Sequence, residues 1–571
     1  MATISGKGTA RNTYDAIVVG SGISGGWAAK ELTERGLETL LLERGRDVQH
    51  GEYPTAFAEP WELDRRNAIT ADIRERQPKQ SRTGYTTRPE SAHWFVDDID
   101  HPYSETKRFD WMRGYHVGGR SLNWGRQSYR FSDLDFEANA RDGFGVDWPI
   151  RYADIAPWYD YVERFAGISG SREGLPQLPD GEFLPPMELR CVEKHAAEKV
   201  STTFPERRII IGRVANLTQP HNGRANCQYR NRCIRGCPYG AYFSSNSATL
   251  PAAYATGRLT LRPHSIVAEL VHDSATGRAK GVRVIDAETH EWTEYHAKVV
   301  FLCASAVGST FILLNSRSDR YPDGFGNDSG ELGHNLMDHH FQVGASGRFD
   351  GFNDRYYRGR RPNGIYVPRF RNLGDRATRR QDYVRGFGYQ GGASRQNWAR
   401  GVAELHRVGA DLKADLLAPG PWRMGMGAWG EHLPYHENKL TLDRTKTDKW
   451  GLPTVNFDCE FKENEKAMRR DMKEAAMEML DAAGFTDITG FDDPGNSPGL
   501  CIHEMGTARM GRDPKTSVLN AHNQVHTAPN VFVTDGACMG SSSCVNPSLT
   551  YMALTARAAA HAVDALKRGD L

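Results

Sequence analysis

The sequence has no long hydrophobic run and no excess of charge of either sign. Its 571 residues contain no stretch of 18 or more apolar residues, so no segment is predicted to cross a membrane directly. Residues 1–12 lack the apolar segment of a secretory signal peptide, and we expect no export by a leader of the chain's own. Lysine and arginine number 72 and aspartate and glutamate 71, which excludes a general attraction for nucleic acid.

Cysteine is scarce, which bears on how the fold is stabilised. The nine cysteines are an odd number, and six of them are dispersed along the chain (Cys191, Cys303, Cys459, Cys501, Cys538 and Cys544). This distribution argues against a framework of disulfides. Stability must then come from apolar burial, and the chain is long enough to bury a large core and to form more than one folding unit.

A glycine-rich segment near the start lies between predicted elements. Residues 14–19 predict a short buried strand, residues 25–35 the helix that follows, and residues 38–42 a second strand. A glycine triplet alone is weak evidence, whereas a triplet between a strand and a helix is typical of a nucleotide site. The segment 20–25 therefore predicts a bound dinucleotide, either FAD or NAD, with a purely structural turn as the alternative.

Five residues in this region are assigned to the predicted cofactor site: Gly20, Gly22, Ser24, Gly25 and Glu43. Gly20 allows the tight turn, Gly22 lets the backbone approach a pyrophosphate, and Gly25 lets the helix pack on the strand. The helix N-terminus offers free N–H groups to the phosphates. Glu43 follows Gly25 by eighteen residues and is placed to accept hydrogen bonds from a ribose.

The two ends of the chain carry similar patterns and the middle differs from them. Residues 531–536 predict a strand that closes on Asp535 and Gly536, and residues 549–567 predict a helix. Residues 348–370 and 431–461 are rich in alternating apolar and aromatic residues with turn signals, which predicts an antiparallel sheet, and residues 463–484 predict an amphipathic helix. We therefore predict an α/β (α+β overall) protein. Its Rossmann-like domain is assigned to residues 1–150, 220–345 and 495–571, and an inserted antiparallel-sheet substrate-binding domain to residues 151–219 and 346–494.

A second glycine segment, residues 117–124, identifies a family. Gly118 and Gly119 permit the backbone to lie against a flat ring, and Ser121 and Asn123 offer hydrogen bonds there. Together with the first glycine motif, residues 431–442 and 450–453, and the C-terminal block, this segment resembles the glucose–methanol–choline (GMC) oxidoreductases. The resemblance covers most of the chain and implies an FAD-dependent alcohol oxidase or dehydrogenase. Some members bind FAD covalently through a histidine at the position of Asn123, so the resemblance implies non-covalent FAD here.

The C-terminal block carries the residues that the resemblance makes catalytic. Residues 501–511 resemble the family's HxxGTxRMG segment and residues 543–550 its NPxLT segment. The resemblance implies that His503 is the catalytic base and Asn546 its hydrogen-bonding partner, with Pro547 at the flavin. An imidazole suits abstraction of a hydroxyl proton, and an amide N–H suits a developing alkoxide. His339 and His340, in a further family-like segment, are weaker candidates for substrate contact.

Three of the nine cysteines, Cys227, Cys233 and Cys237, lie within the polar loop 224–240, which four arginines also occupy (Arg224, Arg230, Arg232 and Arg235). Structural thiols and a zinc site with His221 as a fourth ligand are alternatives. Three thiolates followed by proline favour an iron–sulfur cluster, whose charge the arginines would offset. The spacing is similar to that in the large catalytic subunit of bacterial FAD/iron–sulfur sugar dehydrogenases, which implies a [3Fe-4S] cluster, or a four-iron cluster completed from elsewhere.

The resemblance to this subgroup implies a function and partners. We expect oxidation of a secondary sugar hydroxyl, favouring C3 of glucosides and disaccharides, with electrons leaving through the cluster to a cytochrome c-type acceptor. A small subunit with a twin-arginine signal would place the complex on the periplasmic side; otherwise the chain is cytoplasmic. Alternatives are a glucose or gluconate dehydrogenase, an oxygen-using oxidase, and a flavin-binding chain without catalysis. Two aromatic stretches, residues 355–357 and 422–429, are candidates for sugar stacking or for core packing.

Overall fold

The computed structural model describes residues 12–571 except 60, 84–85, 357–361, 396–407, 418 and 494. The strands in this part are β1 (Thr13–Val19), β2 (Thr39–Leu42), β3 (Ser104–Glu105), β4 (Ile210–Ile211), β5 (Leu259–Arg262), β6 (Ser265–Asp273), β7 (Arg278–Asp286), β8 (Trp292–Leu302), β9 (Val343–Phe349), β10 (Ile365–Val367), β11 (Phe387–Arg395), β12 (Trp422–Gly430), β13 (Lys439–Thr447), β14 (Pro453–Asp458), β15 (Thr486–Asp492), β16 (Gln524–Val525) and β17 (Ala528–Val533). The helices are α1 (Ile23–Glu34), α2 (Ala71–Arg76), α3 (Asp133–Phe136), α4 (Ala138–Asp142), α5 (Tyr152–Ala166), α6 (Cys191–Thr203), α7 (Leu250–Ala255), α8 (Ala306–Asn315), α9 (Gly409–Leu417), α10 (Glu463–Ala482) and α11 (Ser548–Arg568). Among these helices, none is both long and apolar enough to span a membrane.

The largest sheet has the strand order β16-β17-β8-β1-β2-β5, and the β6–β7 hairpin joins it at β8. Strands β5, β2, β1, β8 and β17 run parallel. Alternate residues of β1 enter opposite cores, because successive side chains of a strand point to opposite faces. Ala16 and Val18 pack with α1 and α11, whereas Ile17 and Val19 pack with α8. A parallel sheet covered on both faces explains the continuous apolar run of this strand.

The second sheet is antiparallel around β9, β10, β11 and β12, in the order β15-β9-β12-β11-β10-β4. Met424 and Met426 of β12 are buried in one cluster with Met468 and Met472 of α10. The opposite face of β11 and β12 is half-buried and rich in glycine. Gln390 lies on that face, directly opposite Gly427 of the neighbouring strand.

A third, smaller sheet joins β13, β14 and β3. Phe457 of β14 stacks on Phe109 with ring centroids 4.2 Å apart, and Leu440 of β13 belongs to the core below the parallel sheet. Helix α5 enters the same core through Ile155 and Tyr159. Strands β13 and β14 and helix α5 lie within the predicted substrate-binding domain, yet they share a core with the parallel sheet. A sequence pattern identifies a strand or a helix but not the core that it joins. The exact domain boundaries stay a prediction.

Candidate active site

A cavity runs across the carboxyl ends of the parallel strands β1, β2, β8 and β17. Ligands of open parallel sheets bind outside these strand ends. Ten of the predicted cofactor residues line the cavity, and they are Gly20, Gly22, Ser24, Glu43, Gly119, Ser121, Asn123, Asp535, Gly536 and Pro547. His503 and Asn546 line the same cavity. The structure thus brings the two ends of the chain together at one site.

The first glycine segment forms a tight turn before α1. Gly20 has a φ of 92°, which favours glycine, and Gly25 lies so close to it that a Cβ there would be 1.7 Å from the Gly20 carbonyl oxygen. A Cβ at Gly22 would meet nothing within 4 Å, so this residue leaves its backbone open towards the cavity. The N-terminus of α1 follows directly and presents unpaired N–H groups. This cradle fits the pyrophosphate of a dinucleotide such as FAD.

The carboxylate of Glu43 is held at the next strand end. It accepts hydrogen bonds from the Ser21 backbone N–H at 3.1 Å, the Ser21 hydroxyl at 2.5 Å and the Gly45 N–H at 2.9 Å. Burial raises its pKa, and these hydrogen bonds oppose the increase. The Ser21 hydroxyl also accepts from the Gly118 N–H at 2.9 Å, so one serine connects both glycine segments. The sequence reasoning missed Ser21, although it lies inside the first motif.

Two predicted cofactor residues do not line the cavity. Gly25 packs against Gly20, as described above. Gly118 has a φ of 88°, and a Cβ there would lie 1.8 Å from the Asn246 side-chain oxygen. Both residues shape the cavity wall from behind and contribute no surface to it.

The predicted catalytic pair is in contact at the cavity. The Asn546 Nδ2 lies 3.3 Å from the His503 Nε2, and the Gln390 Nε2 donates to the Asn546 Oδ1 at 2.6 Å. Because the Gln390 donor holds the amide oxygen, the Asn546 N–H group faces the imidazole. Gln390, on the antiparallel sheet, was missed by sequence reasoning because only the fold brings it to this site.

Burial lowers the pKa of His503 well below its ordinary value of 6.5; the positive charge of Arg120 adds to this effect, as would a charge on His339 if that ring were protonated. The Arg120 guanidinium is itself paired with the Glu504 carboxylate at 2.7 and 3.3 Å. His503 is therefore a neutral imidazole at neutral pH. A neutral imidazole is the form that accepts a proton.

The two weaker histidine candidates have different surroundings. The His339 Nδ1 lies 2.8 Å from the His503 Nδ1, so His339 contacts the predicted base from behind. His340 is fully buried against Phe461 and does not line the cavity. Asp338, next to them, accepts the backbone N–H groups of residues 499, 501 and 503 at 2.8–3.1 Å. This carboxylate fixes the loop that carries His503.

The three loop cysteines are half-buried, and all nine cysteines of the chain are free. Burial raises the pKa of Cys227 to about 11, and the Tyr229 N–H donates to its sulfur at 3.4 Å. In the described part of the chain, only His339, Cys501 and His503 form a group of ligand atoms compact enough for a single metal ion. The His221 ring contacts the Arg164 carbonyl oxygen at 2.7 Å. This arrangement does not favour a mononuclear zinc site in the cysteine loop.

The arginines of this loop bind protein groups. Arg232 pairs with Glu59 at 2.6 Å and Arg235 pairs with Glu90, so their charges are already balanced. They tie the loop to the preceding segment, and the expectation that the loop arginines offset the charge of a cluster stays a prediction. The Tyr242 hydroxyl contacts the carbonyl oxygens of Leu122 and Cys233, which links the cavity wall to the cysteine loop.

The described residues of the two aromatic stretches do not line the cavity. Trp422 is fully buried in the core of the antiparallel sheet. Trp429 stacks on Phe341 with ring centroids 5.8 Å apart. Tyr356 is 46% exposed, and residue 357 lies outside the described residues. A sugar-stacking role is therefore wrong for Trp422, because its ring has no exposed face.

Comparisons with known proteins agree with this geometry. Family models described as GMC oxidoreductase match residues 14–341 and 434–555. The chain is 29% identical to 2-methyl-1,2-propanediol dehydrogenase of Mycolicibacterium austroafricanum, over 96% of this chain and 95% of the relative. It is 26% identical to the fructose dehydrogenase large subunit of Gluconobacter japonicus, over 97% of this chain and 98% of the relative. Pyridoxine 4-oxidase of Mesorbium loti has the same fold, with a TM-score of 0.60 at 15% identity over 96% of this chain and 98% of that one.

These matches confirm the predicted fold class, with its Rossmann-like sheet, and the predicted family. Members of the family bind FAD, and the open glycine turn and the buried Glu43 fit that cofactor. The chain belongs to the GMC oxidoreductases, the flavin-dependent enzymes that oxidise CH–OH groups.

Proposed function

We propose that the protein is the catalytic subunit of an FAD-dependent sugar dehydrogenase. The observation that carries this proposal is the contact between the His503 Nε2 and the Asn546 Nδ2, 3.3 Å apart on the cavity surface. FAD bound along the cavity supplies the acceptor for the hydride that leaves the alcohol carbon.

The chain's own residues handle the hydroxyl group. The neutral His503 accepts the hydroxyl proton at Nε2, while the carbon–hydrogen bond breaks and its electron pair leaves with the hydride. The Asn546 N–H group donates to the substrate oxygen as negative charge develops there. A carbonyl group forms at the oxidised carbon, so atoms and electrons balance.

The substrate class is a polyhydroxylated molecule, and we favour a sugar with a reactive secondary hydroxyl. Two relatives that match over nearly their whole length are named for a diol and for fructose. We favour C3 of glucosides and disaccharides on the family resemblance. Glucose or gluconate oxidation is the second candidate, and the position of the new carbonyl group in the product distinguishes the two.

Anaerobic bleaching of the bound flavin tests the reaction. We expect a sugar among D-fructose, D-glucose, D-gluconate and methyl α-D-glucoside to reduce the flavin. His503→Ala should slow this step about 100-fold and keep FAD bound. A yellow, folded protein that no alcohol or sugar reduces would contradict the proposal and indicate a flavin-binding chain without catalysis.

We further propose that Cys227, Cys233 and Cys237 hold an iron–sulfur cluster, favouring [3Fe-4S]. The ligands of a cluster bind different irons and therefore lie farther apart than the ligands of one ion. In the described residues the three loop thiols do not form a group compact enough for one ion, which suits a cluster. The Tyr229 N–H at the Cys227 sulfur is the kind of hydrogen bond that tunes a cluster. The Tyr242 hydroxyl bridge to the cavity wall supports an electron route between the two sites.

Iron and acid-labile sulfide analysis, with an EPR spectrum of anaerobically purified protein, tests the cluster. We expect about three irons per FAD. Cys237→Ser should lose iron and retain FAD, and Cys191→Ser, a half-buried cysteine outside the loop, should retain both. Full FAD content with no iron or sulfide in undamaged wild-type protein would contradict the assignment.

The proposed electron acceptor and cellular location rest on the resemblance to the cluster-bearing sugar dehydrogenases. We propose a cytochrome c-type acceptor and a small subunit whose twin-arginine signal would carry the complex to the periplasmic side. Dye reduction without hydrogen peroxide is the expected result for such a dehydrogenase. Stoichiometric peroxide with sugar would favour an oxygen-using oxidase. Co-purification of a small subunit and a cytochrome with the native enzyme would test the partners directly.

A further inference from the structure

The predicted base is held from behind by a second histidine. The rings of His339 and His503 are nearly perpendicular, at 86°, and their Nδ1 atoms lie 2.8 Å apart. Such a distance between two ring nitrogens requires one hydrogen between them. The opposite nitrogen of His339 decides which ring carries it.

The His339 Nε2 faces the backbone carbonyl oxygens of Ser542 and Ser543 at 3.2 and 2.8 Å. A carbonyl oxygen only accepts hydrogen bonds, so this nitrogen must carry a proton. His339 is 1% exposed, and burial lowers its pKa to about 4, so the ring is neutral and has no second proton. Its Nδ1 is therefore an acceptor.

The hydrogen between the rings then belongs to the His503 Nδ1. A neutral imidazole has one N–H, so the His503 Nε2 is left with a lone pair. That nitrogen faces Asn546 and the cavity. One loop contacts both histidines: the Ser543 carbonyl oxygen accepts from His339, and Asn546, three residues later, contacts the His503 Nε2.

We propose that His339 is a positioning residue that holds His503 in the one tautomer able to accept a substrate proton. This inference rests on the proposed function of His503 as the base. When the His503 Nε2 gains the proton, its Nδ1–H still donates to His339, which stabilises the imidazolium. The other titratable or charged groups at the pair are Arg120 with its partner Glu504, and Asp338, Cys501 and His432.

The neighbouring thiol makes the tautomer depend on His339. The Cys501 sulfur lies 3.4 Å from the same His503 Nδ1. Without the acceptor on His339, the thiol would donate to a bare Nδ1 and favour the tautomer with its hydrogen on Nε2. That tautomer cannot accept the substrate proton.

The test uses the FAD-loaded enzyme and the fastest of the four sugars named above, with flavin reduction followed anaerobically by stopped flow. His339→Leu should slow reduction at saturating sugar about 100-fold with an unchanged KM. The pH at which the rate is half-maximal should fall, because the Nδ1–H of the His503 cation loses its acceptor and the pKa of His503 falls. His339→Asn keeps an acceptor oxygen near the Nδ1 position, so its flavin should be reduced at least about tenfold faster than that of His339→Leu.

The controls separate this inference from the proposed function. His340→Leu removes an adjacent buried histidine and should stay within about threefold of the wild-type rate. FAD content and the unfolding temperature show that each variant is folded. A wild-type rate in His339→Leu, or a loss without a pH shift and without rescue by asparagine, would overturn the positioning role. A wild-type rate in His503→Ala would instead overturn the base itself.

Discussion

Two glycines of the cofactor turn, Gly22 and Gly25, should fail in different ways when each is replaced by alanine. In Gly25→Ala the added Cβ would lie 1.7 Å from the Gly20 carbonyl oxygen, about half the distance of an ordinary contact. The Cβ is fixed to the backbone and the carbonyl oxygen is part of it, so neither atom can move away by rotation of a side chain. In Gly22→Ala the methyl group would meet no protein atom within 4 Å, and the φ of −66° suits alanine.

The magnitudes follow from these contacts. Overpacking costs about 1–3 kcal/mol where side chains can adjust, and a backbone clash belongs at or above the upper end. Alanine in α1 recovers about 1 kcal/mol of helix propensity, so we expect Gly25→Ala to lose about 2 kcal/mol of unfolding free energy. Gly22→Ala should change it by less than about 0.5 kcal/mol. Its methyl group would instead occupy the space of the pyrophosphate and weaken FAD binding at least about tenfold.

Urea unfolding of the two apoproteins and FAD titration of each provide the measurements. Gly25→Ala should unfold at lower urea than the wild type, and Gly22→Ala at the same concentration. If Gly25→Ala apoprotein were as stable as the wild type, the packing role of this glycine would be wrong. If Gly22→Ala bound FAD with wild-type affinity, the open side of the turn would not face the cofactor.

Three further outcomes follow from the site. The rate of flavin reduction should rise with pH and reach half of its maximum below pH 6.5, since burial lowers the pKa of His503; a half-maximal rate at or above 6.5 would contradict this. Gln390→Leu should slow flavin reduction about fivefold, through loss of one hydrogen bond of about 1 kcal/mol to Asn546, and an unchanged stopped-flow rate would remove Gln390 from the site. Acid precipitation should release the yellow flavin into the supernatant, because Asn123 cannot form the covalent bond; a yellow pellet would show that FAD is covalently bound.

The elements that sequence predicts well are those specified by neighbouring residues. The predicted strand 14–19, helix 25–35 and strand 38–42 correspond to β1, α1 and β2 within two residues. Helix 463–484 corresponds to α10, because its apolar positions repeat with the helical period.

Contacts between distant segments could not be predicted in the same way. His339 and Gln390 reach the catalytic pair through long loops and a sheet face, and no local pattern encodes such a pairing. The alternation in residues 431–461 predicts strands, yet it does not show that Phe457 stacks on Phe109 below the parallel sheet. Family resemblance supplied His503 and Asn546, whereas the hydrogen bonds that set the state of His503 required the fold.

The glycine-rich face of the antiparallel sheet has a consequence for how specificity changes. His503, Asn546 and His339 lie in loops outside this sheet. The sheet contacts this group through Gln390, which donates to Asn546. Gly425 and Gly427 leave room beside Gln390, because a Cβ at either position would meet no atom closer than 3.8 Å. Larger side chains at these two positions can therefore reshape the space for a substrate and leave the proton-handling residues in place. We therefore expect substitutions at Gly425 and Gly427 to change substrate preference without loss of the reaction, provided that Gln390 is kept.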